Sequence, residues 1–500
     1  MEIIFNTKSA ERFREFPVQS KVVRESCECI VPDLNDDIGK IAFSEAQLLL
    51  KSKEVGPHGT EIEGCAEICV FYIGEDGSSV QCVSMKKEFS VGFDAPDGEG
   101  ETEAQALLSC RGIQARTLNP RKLAVDIAIG ADLFYFVRDE LNVECAPPED
   151  APGGLETKRE RCTALVVSSV AEKSFTVSEQ LPVPEEAGSG SRVVFASASL
   201  YTEDVQMLGS KALLKGSARI RLAFCGEGMT CPVFSEHALP FSLLADADAE
   251  DREPAGIRLQ TTALYADTIE AINGGYLAEV ELHGTAQIAF SRHEEIGYVA
   301  DAYGTRCPAL CCRERLEVCG GSENRELYAS AEERAELREP EAELIARSAS
   351  FACAEPSDGK ARASAVIGAV LRYPDGSLGA VQKTLQFEVE PPSESCAADG
   401  ARLDSCDMRI SGEELVITAE ACFGFIEKSV SGMDTICGVE LNEESPYDPL
   451  STPDLTVTRI GGRDMWTLAK TYRTSVREIE ELSKAFPPVG DTILVPGAGR

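Results

Sequence analysis

The sequence is short of several things, and each shortage removes a class of function. No apolar run reaches the roughly 18 residues that a membrane-spanning helix needs. The N-terminal stretch MEIIFNTKSAERFREFPVQSK lacks the sustained apolar core of a secretory signal, so the chain is expected to stay in the cytoplasm where it is made. Histidines are few, and His58, His237, His283 and His293 are scattered, none of them placed to activate a serine or cysteine. No glycine-rich phosphate loop follows a strand, and G-x-S-x-G is absent. We therefore expect neither catalysis nor a cofactor. Basic residues are also scarce, 48 against 84 acidic ones, giving a net charge of −36. Nucleic-acid affinity comes from neutralising phosphates, so this balance excludes such a partner and favours basic ones. Tryptophan is almost missing, and Trp466 stands alone.

Cysteine is what the chain has in excess, with 19 residues. The number is odd, and the cysteines lie along apolar, strand-like stretches. In a reducing compartment cysteine packs as a small hydrophobe. Pairs such as Cys27 and Cys29, or Cys65 and Cys69, do not have C-x-x-C spacing, so no metal site is expected.

A chain of 500 residues should make three or four domains, and its 43% hydrophobic content suffices for a core in each. Self-similarity divides it. EIEGCAEICVFYIGEDGSSVQCVSMKKEFSVGF, from Glu61, alternates apolar and polar residues up to Tyr72. It then turns through Gly74 to Gly77 and alternates again to Phe89, the pattern of a β-hairpin. LLKGSARIRLAFCGEGMTCPVFSEHALPFSLL repeats it with Phe224 and Phe241. ARASAVIGAVLRYPDGSLGAVQKTLQFEVE repeats it again, with Tyr373 and Phe387 in the matching places and Ala365 where the other copies have glycine. A second hairpin follows each time, with turns at Asn119-Pro120, Asn273-Gly274-Gly275 and Ser411-Gly412. The period is near 150 residues, which fits tandem whole domains and exceeds solenoid units of roughly 20–50. The acidic stretch ASAEERAELREPEAELIARSA, from Ala329, suits a short helix or solvated connector. The fold class is mainly β, with tandem antiparallel sandwich- or barrel-like domains over residues 1–146, 155–300 and 310–441.

After a linker at 442–453, residues 454–497 read differently. They are near neutral in charge and run strand, helix, helix, strand. Met465, Leu468, Ala469 and Tyr472 recur at helical spacing behind Asp464 as N-cap. Ser475 and Glu478 have the spacing of a capping box, and Val476, Ile479 and Leu482 supply the apolar face of a second helix, which stops at Pro487-Pro488.

Two resemblances come from these residues. The first copy resembles the SPOCS domain of endospore-forming Firmicutes through Val31-Pro32-Asp33, Glu54-Val55 before Gly56, the strand Gly64 to Tyr72 and the run Leu118-Asn119-Pro120-Arg121-Lys122. The tail resembles a LysM domain through Val457, Gly462, Trp466, Ala469, Tyr472, Thr474 to Val476, Ile479, Leu482, Gly490 and Ile493 to Pro496. The LysM resemblance implies a groove between the first loop and the loop after the second helix. That groove is lined by Gly462, Arg463, Asp464, Met465 and Trp466 on one side, and Ser483, Lys484, Ala485, Phe486 and Pro487 on the other. The combination is similar to the SipL-like spore morphogenesis family. It implies a non-enzymatic scaffold made in the mother cell and gathered on the forespore and spore-coat surface, with the coat basement-layer morphogenetic ATPase as partner. LysM domains ordinarily hold N-acetylglucosamine polymers, and a cell-wall-binding protein is the alternative. Here Arg463 stands in place of the usual small acid and Ser483 in place of the usual asparagine, which favours protein contacts.

Overall fold

The computed structural model describes residues 2–98, 100–148, 154–188, 190–226, 229–271, 275–353, 359–393, 396–448 and 453–497. Strands take 76% of the chain and helices 4%, so the fold is mainly β, and every strand pairing among the described residues is antiparallel. Short β1 (Glu2–Ile4) and β2 (Asn6–Glu15) lead into β3 (Gln19–Ile30), β4 (Ile38–Gly56), β5 (Gly59–Gly74), β6 (Val80–Asp94), β7 (Thr102–Asn119) and β8 (Lys122–Ala146). A second set follows, namely β9 (Leu155–Pro182), β10 (Arg192–Leu208), β11 (Lys211–Cys225), β12 (Val233–Asp246), β13 (Arg252–Glu270) and β14 (Tyr276–Gly304). The third is β15 (Ala309–Glu336), β16 (Glu343–Cys353), β17 (Ala361–Arg372), β18 (Leu378–Val389), β19 (Cys396–Ser411) and β20 (Glu414–Leu441). In every set the last strand pairs with the first and the fifth, while strands two to four pair among themselves.

The side-chain alternation of a strand decides what lies between these layers. Along β5, Ile62, Ala66, Ile68, Val70 and Tyr72 point to one side and pack with Leu123, Ile127 and Leu133 of β8. Leu214, Ile220 and Phe224 of β11 do the same with Leu282, Ile288 and Phe290 of β14. In the third set Ile367 and Leu371 meet Ile417, Phe423 and Phe425. The opposite face of β5 is apolar as well. Cys69, Phe71 and Ile73 join Phe43, Phe195, Ala223, Ala346 and Val370 in a cluster to which all three sets contribute. Phe71 lies 4.8 Å from the Phe43 ring and 5.4 Å from Phe234. A phenylalanine so enclosed is worth roughly 1.5–3 kcal/mol of burial. The apolar run Cys69 to Ile73 is therefore a strand buried on both faces.

The first two sets follow the sequence pairing closely, and the third departs from it. Gly64 and Gly216 sit at bulges opposite Phe89 and Phe241, whose rings cover them. The residue opposite Phe387 is Ala363, not Ala365, so Leu371 takes the buried place of Tyr72 and Phe224. Tyr373 falls in the turn beyond β17, where its amide bonds Ser377. Tyr373 therefore lies two residues past the place of Tyr72 and Phe224, beyond the last β17–β18 pair, Arg372 and Leu378.

The acidic stretch from Ala329 is not a helix. It continues β15 against β20, and Leu327, Ala329, Ala331 and Ala335 alternate toward the third core. A period of two buries these small residues on one face, and tertiary packing overrides the helix propensity of Ala and Glu. Asn119 accepts the Arg121 amide at the β7–β8 turn, and Gly412 takes φ +62° at the β19–β20 turn. Asn273 and Gly274 lie outside the described residues. The Arg121 guanidinium gathers the loop before β4. It donates to the carbonyls of Asn35 (2.7 Å) and Pro32 (2.8 Å) and to the Asp37 carboxylate (2.9 Å).

Finally, β1 leaves its own set to pair with β20, Ile3 opposite Val439. Ile3 and Phe5 pack with Val299, Ala302 and Ile436, so the start of the chain is held between the second and third sets.

A Cβ at Gly64 would stand 2.3 Å from the Phe89 ring and 2.9 Å from the Leu49 carbonyl. Gly64→Val should therefore cost about 1–3 kcal/mol through overpacking, read as a lowered urea midpoint with an unchanged slope.

Candidate functional site

The tail forms β21 (Leu455–Arg459), α1 (Met465–Tyr472), α2 (Val476–Ala485) and β22 (Thr492–Pro496), with β21 antiparallel to β22. Both helix starts follow from local chemistry. The Asp464 carboxylate accepts the Thr467 amide at 2.8 Å, and bonds from the Thr467 hydroxyl and then this amide draw its carboxyl below the usual range. Ser475 and Glu478 close a reciprocal capping box. Leu468, Ala469, Ile479, Ile493 and Val495 make the small core. A core this size is marginal alone.

What completes it is β14. Tyr303 is buried in the same cluster, and its hydroxyl donates to the Thr474 carbonyl at 2.6 Å. The Trp466 ring meets Tyr303 edge-on at 4.8 Å, and its Nε1 donates to Asp301 Oδ2 at 2.9 Å. Lys470 Nζ reaches the same oxygen at 2.6 Å. The other oxygen of Asp301 accepts from Arg313 at 2.9 Å. Burial alone would raise the Asp301 carboxyl, but the bonds from Lys470 and Trp466 outweigh it and hold it below the ordinary carboxylate range. Lys158 stands 4.0 Å from Asp464, and the Arg473 guanidinium stacks 3.6 Å over the Tyr447 ring. The amide of Tyr447, in the connecting segment, bonds the Arg306 carbonyl. The indole thus fixes the module to the second set of strands.

This seat redistributes the residues the sequence placed in one groove. Gly461 and Gly462 both take positive φ, and the loop they shape turns Arg463 back on itself. Its guanidinium donates to the carbonyls of Arg459 (2.6 Å) and Ile460 (3.2 Å). Asp464 is an N-cap, while Met465 and Trp466 are half-buried in the module's own cluster. On the other side, Ser483 is half-buried with no partner for its hydroxyl. Lys484, Ala485, Phe486 and Pro487 are exposed, and Phe486 keeps 58% and nearby Val489 81% of its surface in contact with solvent. Sequence reasoning missed Asp301, Tyr303, Lys158 and Tyr447. Asp301 and Tyr303 lie more than 160 residues from the groups they hold, and no local pattern marks them.

Among the described residues no group of three or more His, Cys, Asp or Glu side chains converges to hold a metal, and every described cysteine is a free thiol. Compared with known proteins, the chain matches no family model, no curated protein and no solved structure.

Asp301 has a depressed carboxyl in the folded chain, so its contribution is fully present above the ordinary carboxylate range and is lost as pH falls through the lower folded value. Asp301→Asn, which keeps the shape and removes the charge, should speed hydrogen exchange in α1 and protease cutting near Tyr447 at neutral pH, with β5 protection unchanged. Equal protection in α1 would mean that the ion pair does not hold the module.

Proposed function

We propose that this chain is a non-enzymatic scaffold of sporulation, of the kind that joins SPOCS repeats to a LysM module. On this reading it works in the mother-cell cytoplasm at the forespore surface and tethers the coat basement layer through protein contacts. The three six-strand sets would be the repeats, and the strand–helix–helix–strand tail the LysM module.

The observation that carries the protein-binding reading is what the tail leaves exposed. Trp466 and Asp464 are engaged in packing and capping, and Arg463 is folded onto its own loop. Holding a neutral sugar requires polar groups free to bond its hydroxyls, and those of Arg463, Asp464 and Trp466 are already engaged. The free end of α2 offers Phe486 and Val489, an exposed aromatic and aliphatic pair, with Lys484 close by in the chain. Such a composition anchors protein interfaces. Residues 454–497 carry six Lys or Arg and six Asp or Glu, so the module has no net charge and avoids the repulsion that the acidic remainder would impose on an acidic partner.

The test is titration of the full chain, by calorimetry, with the coat basement-layer ATPase and separately with N-acetylglucosamine oligomers. Heat with the ATPase alone is expected. Phe486→Ala should weaken that binding at least tenfold while leaving the far-ultraviolet circular dichroism unchanged. Micromolar saccharide binding, with none to the ATPase, would instead make the chain a cell-wall binder.

A further inference from the structure

The three middle sheets do not close completely on one another. Between them lies a cavity of about 860 Å³, within the range of small-molecule sites. Its walls come from equivalent edge strands of all three sets, β4 and β7, β10 and β13, β16 and β19, with parts of β11 and β12. Register shows why it stays open. Glu45 lies opposite Cys69, Ser197 opposite Arg221 and Ser348 opposite Gly368, which are equivalent places in the three sets. Two residues on stand Gln47, Ser199 and Ser350. The first set fills its share with long side chains. The second and third supply serines too short to reach the centre, so the space opens on their side.

The lining sets four arginines beside the carboxylates of Glu45, Glu236 and Asp404, in a chain of net charge −36. Arg219, Arg221, Arg347 and Arg402 all face the cavity. Two are neutralised. Arg221 is paired with buried Glu45 and stands 3.7 Å from Glu236, and Arg402 pairs with Glu326 at 2.9 Å. Arg219 and Arg347 are exposed and have no carboxylate within 4.0 Å among the described residues. Arg219 lies over the Tyr201 ring at 5.0 Å. Arg221 and Arg219 share one face of β11, and Arg221 donates to the Arg347 carbonyl, so the two free cations flank one paired one. The Arg221 Nε makes no hydrogen bond but faces the Glu236 carboxylate at 3.7 Å, so Arg221 is held between Glu45 and Glu236.

We infer that the cavity between the three sets binds a small organic or inorganic polyanion, its carboxylate or phosphate oxygens held by Arg219 and Arg347 and by the exposed hydroxyl of Ser199. Planar guanidinium forks match the oxygens of both groups, and the low-dielectric walls strengthen the attraction. Glu45 keeps Arg221 occupied, so recognition falls to the two arginines without partners. The site is independent of the terminal module and of what that module docks.

Full-length protein would be titrated by calorimetry with pyrophosphate and with citrate at fixed ionic strength, the two probes separating phosphate from carboxylate recognition. Saturable binding of at least one probe at one site per chain is expected. Arg219→Ala and Arg347→Ala should each lose at least tenfold in affinity, and Arg347→Lys should lose less because it keeps the charge without the fork. Arg24→Ala, on exposed β3, should bind as the parent does. Both cavity arginines lack ion pairs, so the apo melting temperature serves as the folding check and should stay unchanged. No saturable binding of either probe would overturn the proposal. So would binding that survives in both cavity variants, or that falls equally in Arg24→Ala.

Discussion

The structure depends on one requirement, that β5, the middle strand of the first set, be apolar on both faces. One face must meet the long strands of its own set, and the other must meet the neighbouring sets. For β5 the first demand is met by Ile62, Ile68, Val70 and Tyr72, and the second by Cys69, Phe71 and Ile73. With the second group, Phe43, Phe71 and Phe234 make a shared aromatic centre, and the chain closes around that centre. Other joins lie away from this centre, where β2 pairs with β8 and β9 and β1 pairs with β20.

Burying sheet edges near this centre creates a polar problem, because edge strands carry unpaired amides and carbonyls. Glutamines from adjoining sets answer part of it. The Gln47 carbonyl accepts the Ala198 amide at 2.8 Å, and that of Gln260 accepts the Leu108 amide at 2.9 Å. Gln287 both accepts from and donates to the backbone of Ala106, at 2.8 Å each way. Lys53 bonds Gln287 and Glu172, which ties the first set to the second. Neutral amides suit this task. They satisfy a donor and an acceptor together without the desolvation cost of a charge.

Much of this was legible in the sequence where the determinants are local. The period-two alternation from Glu61 to Phe89 marked β5 and β6, and Asp464, Ser475 and Glu478 marked both helix starts. Legibility failed where partners were distant or turns changed length. The shortened third hairpin moved the matching residues to Ala363 and Leu371, and the alanines of Ala329 to Ala335 looked helical until β20 gave them a strand partner. The groove residues were named from resemblance. Their engagement could not be foreseen, because Asp301 and Tyr303 reach them from β14 and Arg463 is turned by the positive φ of two glycines.

Three similar sets offer three similar surfaces, yet the tail takes only one, and the ends of the long strands explain the choice. β8 stops at Ala146, ahead of Pro147 and Pro148, whose missing amides cannot extend a ladder. The far end of β20 is already paired with β1 and covered by Ile3. β14 passes the limit of β13 and is paired there with β9 alone, and in that stretch it presents Asp301 and Tyr303 on one face, two residues apart. The same divergence between equivalent positions gives the cavity its two free arginines on one side. Chain fusion makes both asymmetries possible, since three identical subunits would place the same residue at every equivalent position.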